Sequence, residues 1–202
     1  MISIIDYGMG NLKSVENAFK FLGIEAVITR DEKEIKNSKG ILLPGVGAFP
    51  DAMKNLREYN LDSIIKEEVK NGKPLLGVCL GMQLLFSKSY EGEECEGLDL
   101  ITGSVKKLQG NIKIPHIGWN SLEFNREDKL IDGLKEESYV YFVHSFFATE
   151  IKEEDLLAYS IYGDNKIPAL VNRGNVYGAQ FHPEKSGDVG LKILENFWGM
   201  IK

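Results

Sequence analysis

Early in the chain, apolar positions recur in two alternating periods. Ile2 to Asp6 reads as a strand, and Leu12, Val15, Phe19 and Leu22 mark one face of a helix that stops at Gly23. Ala26 to Thr29 and Gly40 to Leu43 are short apolar strands. Helices are expected over Asp51 to Tyr59 and Leu61 to Lys70, then a strand over Pro74 to Val78. Strands alternating with helices imply a parallel sheet with helices on its faces. From Ile101 to Gln180 the pattern changes to short strands and turns. The clearest are Val140 to Val143, Leu157 to Tyr162, Ala169 to Asn172 and Val176 to Gln180. Leu191, Leu194, Phe197 and Trp198 mark a final helix over about Val189 to Ile201. The expected fold is α/β: one mixed, mainly parallel sheet flanked by helices, with an antiparallel extension in the second half. Residues 1–202 are expected to form one domain.

Composition narrows the possibilities. A net charge of −6, with lysine and arginine scattered, argues against a nucleic-acid partner. No apolar run approaches membrane-spanning length, and the N-terminus reads as a strand rather than a signal peptide. Two cysteines, Cys79 and Cys95, make no disulfide framework. A reducing, cytoplasmic setting is therefore expected. His116 and His144 have no cysteine or carboxylate at metal-ligand spacing and read as structural histidines, with no metal expected. Gly8-Met9-Gly10 fails as a dinucleotide-binding fingerprint, because Lys13 stands where the third glycine belongs. The acidic stretch Glu91 to Glu96 reads as a solvated loop.

Two segments carry candidate chemistry. Gly77-Val78-Cys79-Leu80-Gly81 places a thiol at a strand-to-helix turn, flanked by glycines that relieve crowding. The helical pattern Met82 to Phe86 follows, and its N-terminus would favour thiolate. Near the other end lies Gln180-Phe181-His182-Pro183-Glu184. The proline pushes His182 into the extended region, where Glu184, two residues on, points the same way and can fix its tautomer. The order nucleophile, histidine, acid disfavours an α/β-hydrolase. Pro44-Gly45-Val46-Gly47 is a glycine-rich loop whose N–H groups could join that of Leu80 in an oxyanion hole.

Together these residues resemble the class I glutamine amidotransferases, whose fold is a flavodoxin-like α/β sheet. Further segments narrow the resemblance to the glutaminase subunits of imidazole glycerol phosphate synthase: Asp6 to Leu12, Pro44 to Phe49, Pro115-His116-Ile117-Gly118-Trp119-Asn120 and Tyr141-Phe142-Val143-His144-Ser145. The match covers essentially the whole chain. Met9 and the pair Phe146-Phe147 depart from the family pattern. The resemblance implies a Cys79-His182-Glu184 triad acting on L-glutamine, with backbone N–H groups of Gly47 and Leu80 as oxyanion donors. It places Gly45, Gln83, Ser145 and Phe146 on the substrate, and Asn11, Trp119, Asn120, Tyr141 and Lys185 on a partner. That partner would be the (β/α)8-barrel cyclase subunit HisF, in a heterodimer that channels ammonia for histidine biosynthesis, with no cofactor. The alternatives are a glutaminase serving another acceptor, such as pyridoxal phosphate synthase, and a cysteine peptidase or non-catalytic module of similar fold.

Overall fold

The structure is a computed structural model, and it describes residues 1–201. A mixed sheet forms its backbone, with strands β1 (Ile2–Ile5), β2 (Ala26–Thr29), β3 (Gly40–Gly45) and β4 (Leu75–Cys79) drawn from the first half. Its order is β2-β1-β3-β4-β14-β13-β12-β9, where β9 is Glu123–Phe124, β12 Leu156–Tyr162, β13 Asn165–Arg173 and β14 Val176–Ala179. β2, β1, β3, β4 and β14 run parallel, and β13, β12 and β9 extend the sheet antiparallel.

β1, β3 and β4 are buried along their whole lengths, as strands covered on both faces must be. Successive side chains therefore enter different cores. Ile4, Leu42 and Leu76 join helices α1 (Leu12–Phe21) and α6 (Gly187–Met200) on one face. Ile5, Leu43 and Leu75 join α3 (Phe49–Glu58) and α4 (Leu61–Lys70) on the other.

The short helix α2 (Glu32–Asn37) was not anticipated, although Asp31 and Glu34 stand at capping-box spacing. The Asp31 carboxylate caps it by accepting the Lys33 and Glu34 N–H groups. β3 runs two residues past the expected Leu43, through Pro44. The Ile41 N–H donates to the Pro74 carbonyl, so alternate residues face β4, and Pro44 turns its missing donor towards β1, beyond the end of their ladder. The Tyr7 hydroxyl donates to the Pro44 carbonyl on that side.

Two expectations need correction. The helix after Cys79 is a single turn, α5 (Leu80–Gln83), and Phe86 begins strand β5 (Phe86–Ser89). The Leu84 and Leu85 carbonyls, which would carry the helix forward, accept instead from Leu98, Leu100 and Ile101 N–H groups. The second half is also more than an extension of one sheet. β5, β6 (Cys95–Glu96), β7 (Ile101–Lys107) and β11 (Phe146–Thr149) form a four-stranded sheet. β8 (His116–Ser121) and β10 (Tyr139–His144) form a two-stranded ribbon with Trp119 opposite Tyr141 and His116 opposite His144. Strand periodicity identifies a strand but not its partner, which is why these sheets were not separable in advance.

The fold generates a test at the turn. A β-carbon on Gly81 would collide with the Leu43 carbonyl oxygen, whereas nothing lies within 4 Å of one on Gly174. Gly81→Ala is expected to cost about 3 kcal/mol and Gly174→Ala, strained only by its backbone, about 1 kcal/mol. Urea denaturation measures both, and an unchanged Gly81→Ala midpoint would refute the close approach.

Candidate active site

Cys79 ends β4 with φ 56° and ψ −112°, a strained conformation for any residue but glycine. Both flanking glycines are needed for close packing. A β-carbon on Gly77 would lie 2.6 Å from the Gly81 carbonyl oxygen, and Gly81 itself presses on β3. The crowding that the glycines relieve thus comes partly from β3. Gly45 belongs to the same packing: a β-carbon there would meet the Tyr7 hydroxyl at 2.5 Å and the Gly81 nitrogen at 2.9 Å. It is not among the residues lining the cavity beside Cys79.

His182 follows β14, the parallel neighbour of β4, so two strand ends deliver the thiol and the imidazole to one place. Its N–H donates to the Tyr141 carbonyl at 3.0 Å, and its carbonyl accepts from the Ser186 hydroxyl at 2.7 Å. Ser186 Oγ in turn accepts the Tyr141 N–H at 3.0 Å, closing a clamp on the backbone of His182. Nothing in the sequence pattern singled out Ser186. His182 Nδ1 lies 2.8 Å from Glu184 Oε1, and both side chains are buried. The geometry that joins them differs from the expected one. Residues Pro183–Lys185 form a 3-10 turn after an extended His182, so the carboxylate is brought back by a turn rather than by strand alternation.

Burial alone would push the His182 imidazolium down. Attraction to Cys79 and Glu184 outweighs it and raises the pKa to about 9. Its Nε2 has no hydrogen-bond partner among the described residues and lies against the same cavity as Cys79. The thiol sits 3.8 Å from the Val143 carbonyl oxygen and 4.0 Å from Gln180 Nε2. With α5 only four residues long, its dipole contributes little to a thiolate.

The cavity measures about 310 Å³. Val46, Gly47 and Leu80 line it beside Cys79, and Gly47 has φ 106°, a value that favours glycine. Gln83, Ser145 and Phe146 also line it. The Gln83 amide donates to the Phe146 carbonyl at 2.8 Å and to Gln180 Oε1 at 3.1 Å. Glu91 was expected in a solvated loop. It instead lines the cavity, held by the Phe49 N–H at 2.8 Å on Oε2. It brings a carboxylate to the cavity wall, and its lone position in an acidic run gave no sign of this.

The expected partner residues divide. Trp119 is more than half exposed and packs edge-on against Tyr141 with ring centres 6.0 Å apart, and Tyr139, which was not among the expected residues, is exposed on the same strand as Tyr141. Lys185 and Asn11 are exposed. The Asn120 amide, however, is turned back to the Ile161 carbonyl at 2.9 Å, where it ties β8 to β12.

The model of the glutamine amidotransferase class-I family matches residues 3–200. The imidazole glycerol phosphate synthase subunit HisH of Bacillus cereus is 53% identical over 100% of this chain and 96% of its own length. The protein of that name from Caldanaerobacter subterraneus subsp. tengcongensis is 52% identical over 100% and 99%. Among solved structures, a glutamine amidotransferase superposes with TM-score 0.77 at 25% identity, covering 98% of each chain. PurLQS from Thermotoga maritima superposes with TM-score 0.78 at 20% identity over 100% and 98%, a likeness of fold.

Because the His182 pKa stands above its unfolded value of 6.5, the stability this group carries is complete below pH 6.5 and lost as pH rises towards about 9. Glu184→Gln removes one of the attractions, so the His182 pKa should fall and that loss should be smaller and complete at lower pH. Titration of the ring protons by NMR, with urea midpoints across the range, measures both. An unmoved pKa would show that Glu184 does not act on the imidazole.

Proposed function

Because the chain belongs to the class-I glutamine amidotransferase family and within it groups with the HisH subunits, we propose that it hydrolyses L-glutamine for an imidazole glycerol phosphate synthase. The observation that carries this reading is the convergence of Cys79 and the Glu184-bound His182 on one cavity that also receives Glu91 and the Gly47 loop. A glutamine side chain reaching Cys79 would leave its α-ammonium group to pair with the Glu91 carboxylate.

In this mechanism the Cys79 thiolate attacks the side-chain amide carbon. The Leu80 and Gly47 N–H groups stabilise the alkoxide, each worth about 10²–10³ in rate. His182, as imidazolium, gives its Nε2 proton to the departing nitrogen, and the C–N bond breaks to release ammonia. The neutral ring then takes a proton from water, whose oxygen displaces the thiolate from the glutamyl thioester. Glu184 holds the ring by its Nδ1–H throughout. Gln83, Ser145 and Phe146 hold the substrate. The ammonia passes to the HisF barrel subunit, where a formimino ribotide becomes imidazole glycerol phosphate and an aminoimidazole carboxamide ribotide. The exposed Trp119 and Tyr139, with Tyr141, Lys185 and Asn11, are the surface we assign to that subunit, in a heterodimer working in the cytoplasm without a cofactor.

Cys79→Ala should abolish glutamate release, while the complex supplied with ammonium salts still forms imidazole glycerol phosphate. Cys95→Ala, on the far strand β6, should leave glutamate release near normal. Substantial glutamate release by Cys79→Ala would end the assignment. The partner surface is tested separately by calorimetric titration of this chain with the barrel subunit. Trp119→Ala should weaken the complex by about 2 kcal/mol, as for an aromatic anchor. Unchanged affinity would place the interface elsewhere.

A further inference from the structure

His116 and His144 lie outside the triad, yet they form a hydrogen-bonded chain that ends on the cavity wall. His144 Nδ1 is 2.9 Å from the Phe146 carbonyl oxygen, and His144 Nε2 is 3.0 Å from His116 Nδ1. They are cross-strand partners at the end of the β8–β10 ribbon, and both are buried.

The network fixes its own protons. A carbonyl can only accept, so His144 Nδ1 carries hydrogen and donates to Phe146. In a neutral ring Nε2 is then an acceptor, so His116 Nδ1 must carry the hydrogen that it shares with His144. His116 is stacked between Phe142 and Tyr162, with ring centres 4.8 Å and 3.9 Å away. A proton added to His144 Nε2 would face the His116 N–H. Burial and this pairing push His144 down to about 3, and burial pushes His116 down to about 4, so both stay neutral near pH 7.

The Phe146 carbonyl also accepts from Gln83, so both of its lone-pair directions are occupied. The preceding carbonyl, of Ser145, is held by the Leu108 N–H at 2.9 Å. We propose that His144 is a positioning residue for glutamine binding. Its Nδ1–H, set by His116, holds the Phe146 carbonyl and with it the Ser145–Phe146 wall. This rests on the glutaminase reading of the cavity.

Two substitutions separate a hydrogen-bonding role from a space-filling one. Asparagine places its amide nitrogen where His144 Nδ1 stands and keeps the donor to Phe146. Glutamine reaches the Nε2 position and leaves the carbonyl without it. In the complex with the barrel subunit, His144→Gln should raise the glutamine KM about tenfold with a smaller effect on kcat, and His144→Asn should stay within about threefold, the loss of one buried hydrogen bond setting the scale. A space-filling role predicts the reverse order, since glutamine is nearer to histidine in size, and that order or equal KM values would overturn the proposal. In the full chain labelled with 15N, the ring spectrum should show His144 as the Nδ1–H tautomer, whatever the activity. The Nε2–H tautomer would overturn the hydrogen-bond chain even if every variant folds. A wild-type complex that releases no glutamate would overturn the glutaminase reading, and the substrate role of the wall with it, while the tautomer still decides the geometry.

Discussion

The site depends on a backbone collision that glycine avoids. The turn at Cys79 must pass so close to β3 that Gly81 has no room for a β-carbon beside the Leu43 carbonyl, and Gly45 has none beside the turn. Only with those contacts does Cys79 keep its strained conformation, because the surrounding backbone leaves it no other. The strain is held by the sheet, not by α5, which is too short to hold anything. Because β3 and β4 are buried neighbours in a parallel sheet, the cost of deforming them is high, and Cys79 inherits their rigidity.

From that fixed point the other half of the site is placed by strand pairing. β14 lies against β4, so the residues leaving its carboxyl end arrive beside Cys79. The hydrogen bonds between His182, Tyr141 and Ser186 then set the height of the imidazole. Tyr141 belongs to the ribbon that carries exposed Trp119, so the backbone support of the His182 imidazole and the exposed apolar face are parts of one small sheet.

Much of this was legible in the chain. Short apolar runs separated by helical periods gave the parallel half of the sheet nearly residue by residue, because strands buried on both faces leave an unambiguous signal. The flanking glycines of Cys79 and the proline after His182 exposed the local chemistry for the same reason: their backbone demands are written in the residue type. What was not legible depends on long-range partners. Leu84 and Leu85 look helical, but the segment Leu98–Ile101 takes their carbonyls. Gly45 reads as a substrate contact, yet the reason for its missing side chain is Tyr7 and Gly81. Glu91 reads as one of several solvated carboxylates until the Phe49 N–H fixes it at the cavity. None of these pairings is local, so no window of sequence contains them.

The three histidines show how far identical side chains can be driven apart by their neighbours. His182 faces a carboxylate and a thiol, and its cationic form is favoured despite burial. His144, buried nearby, meets a carbonyl and another imidazole, neither of which can neutralise a charge, and its cationic form is disfavoured. The charge on His182 itself adds to that penalty. The two effects support each other. A neutral His144 does not compete with His182 for Glu184, and of these two buried rings at the cavity only His182 favours its cationic form near pH 7.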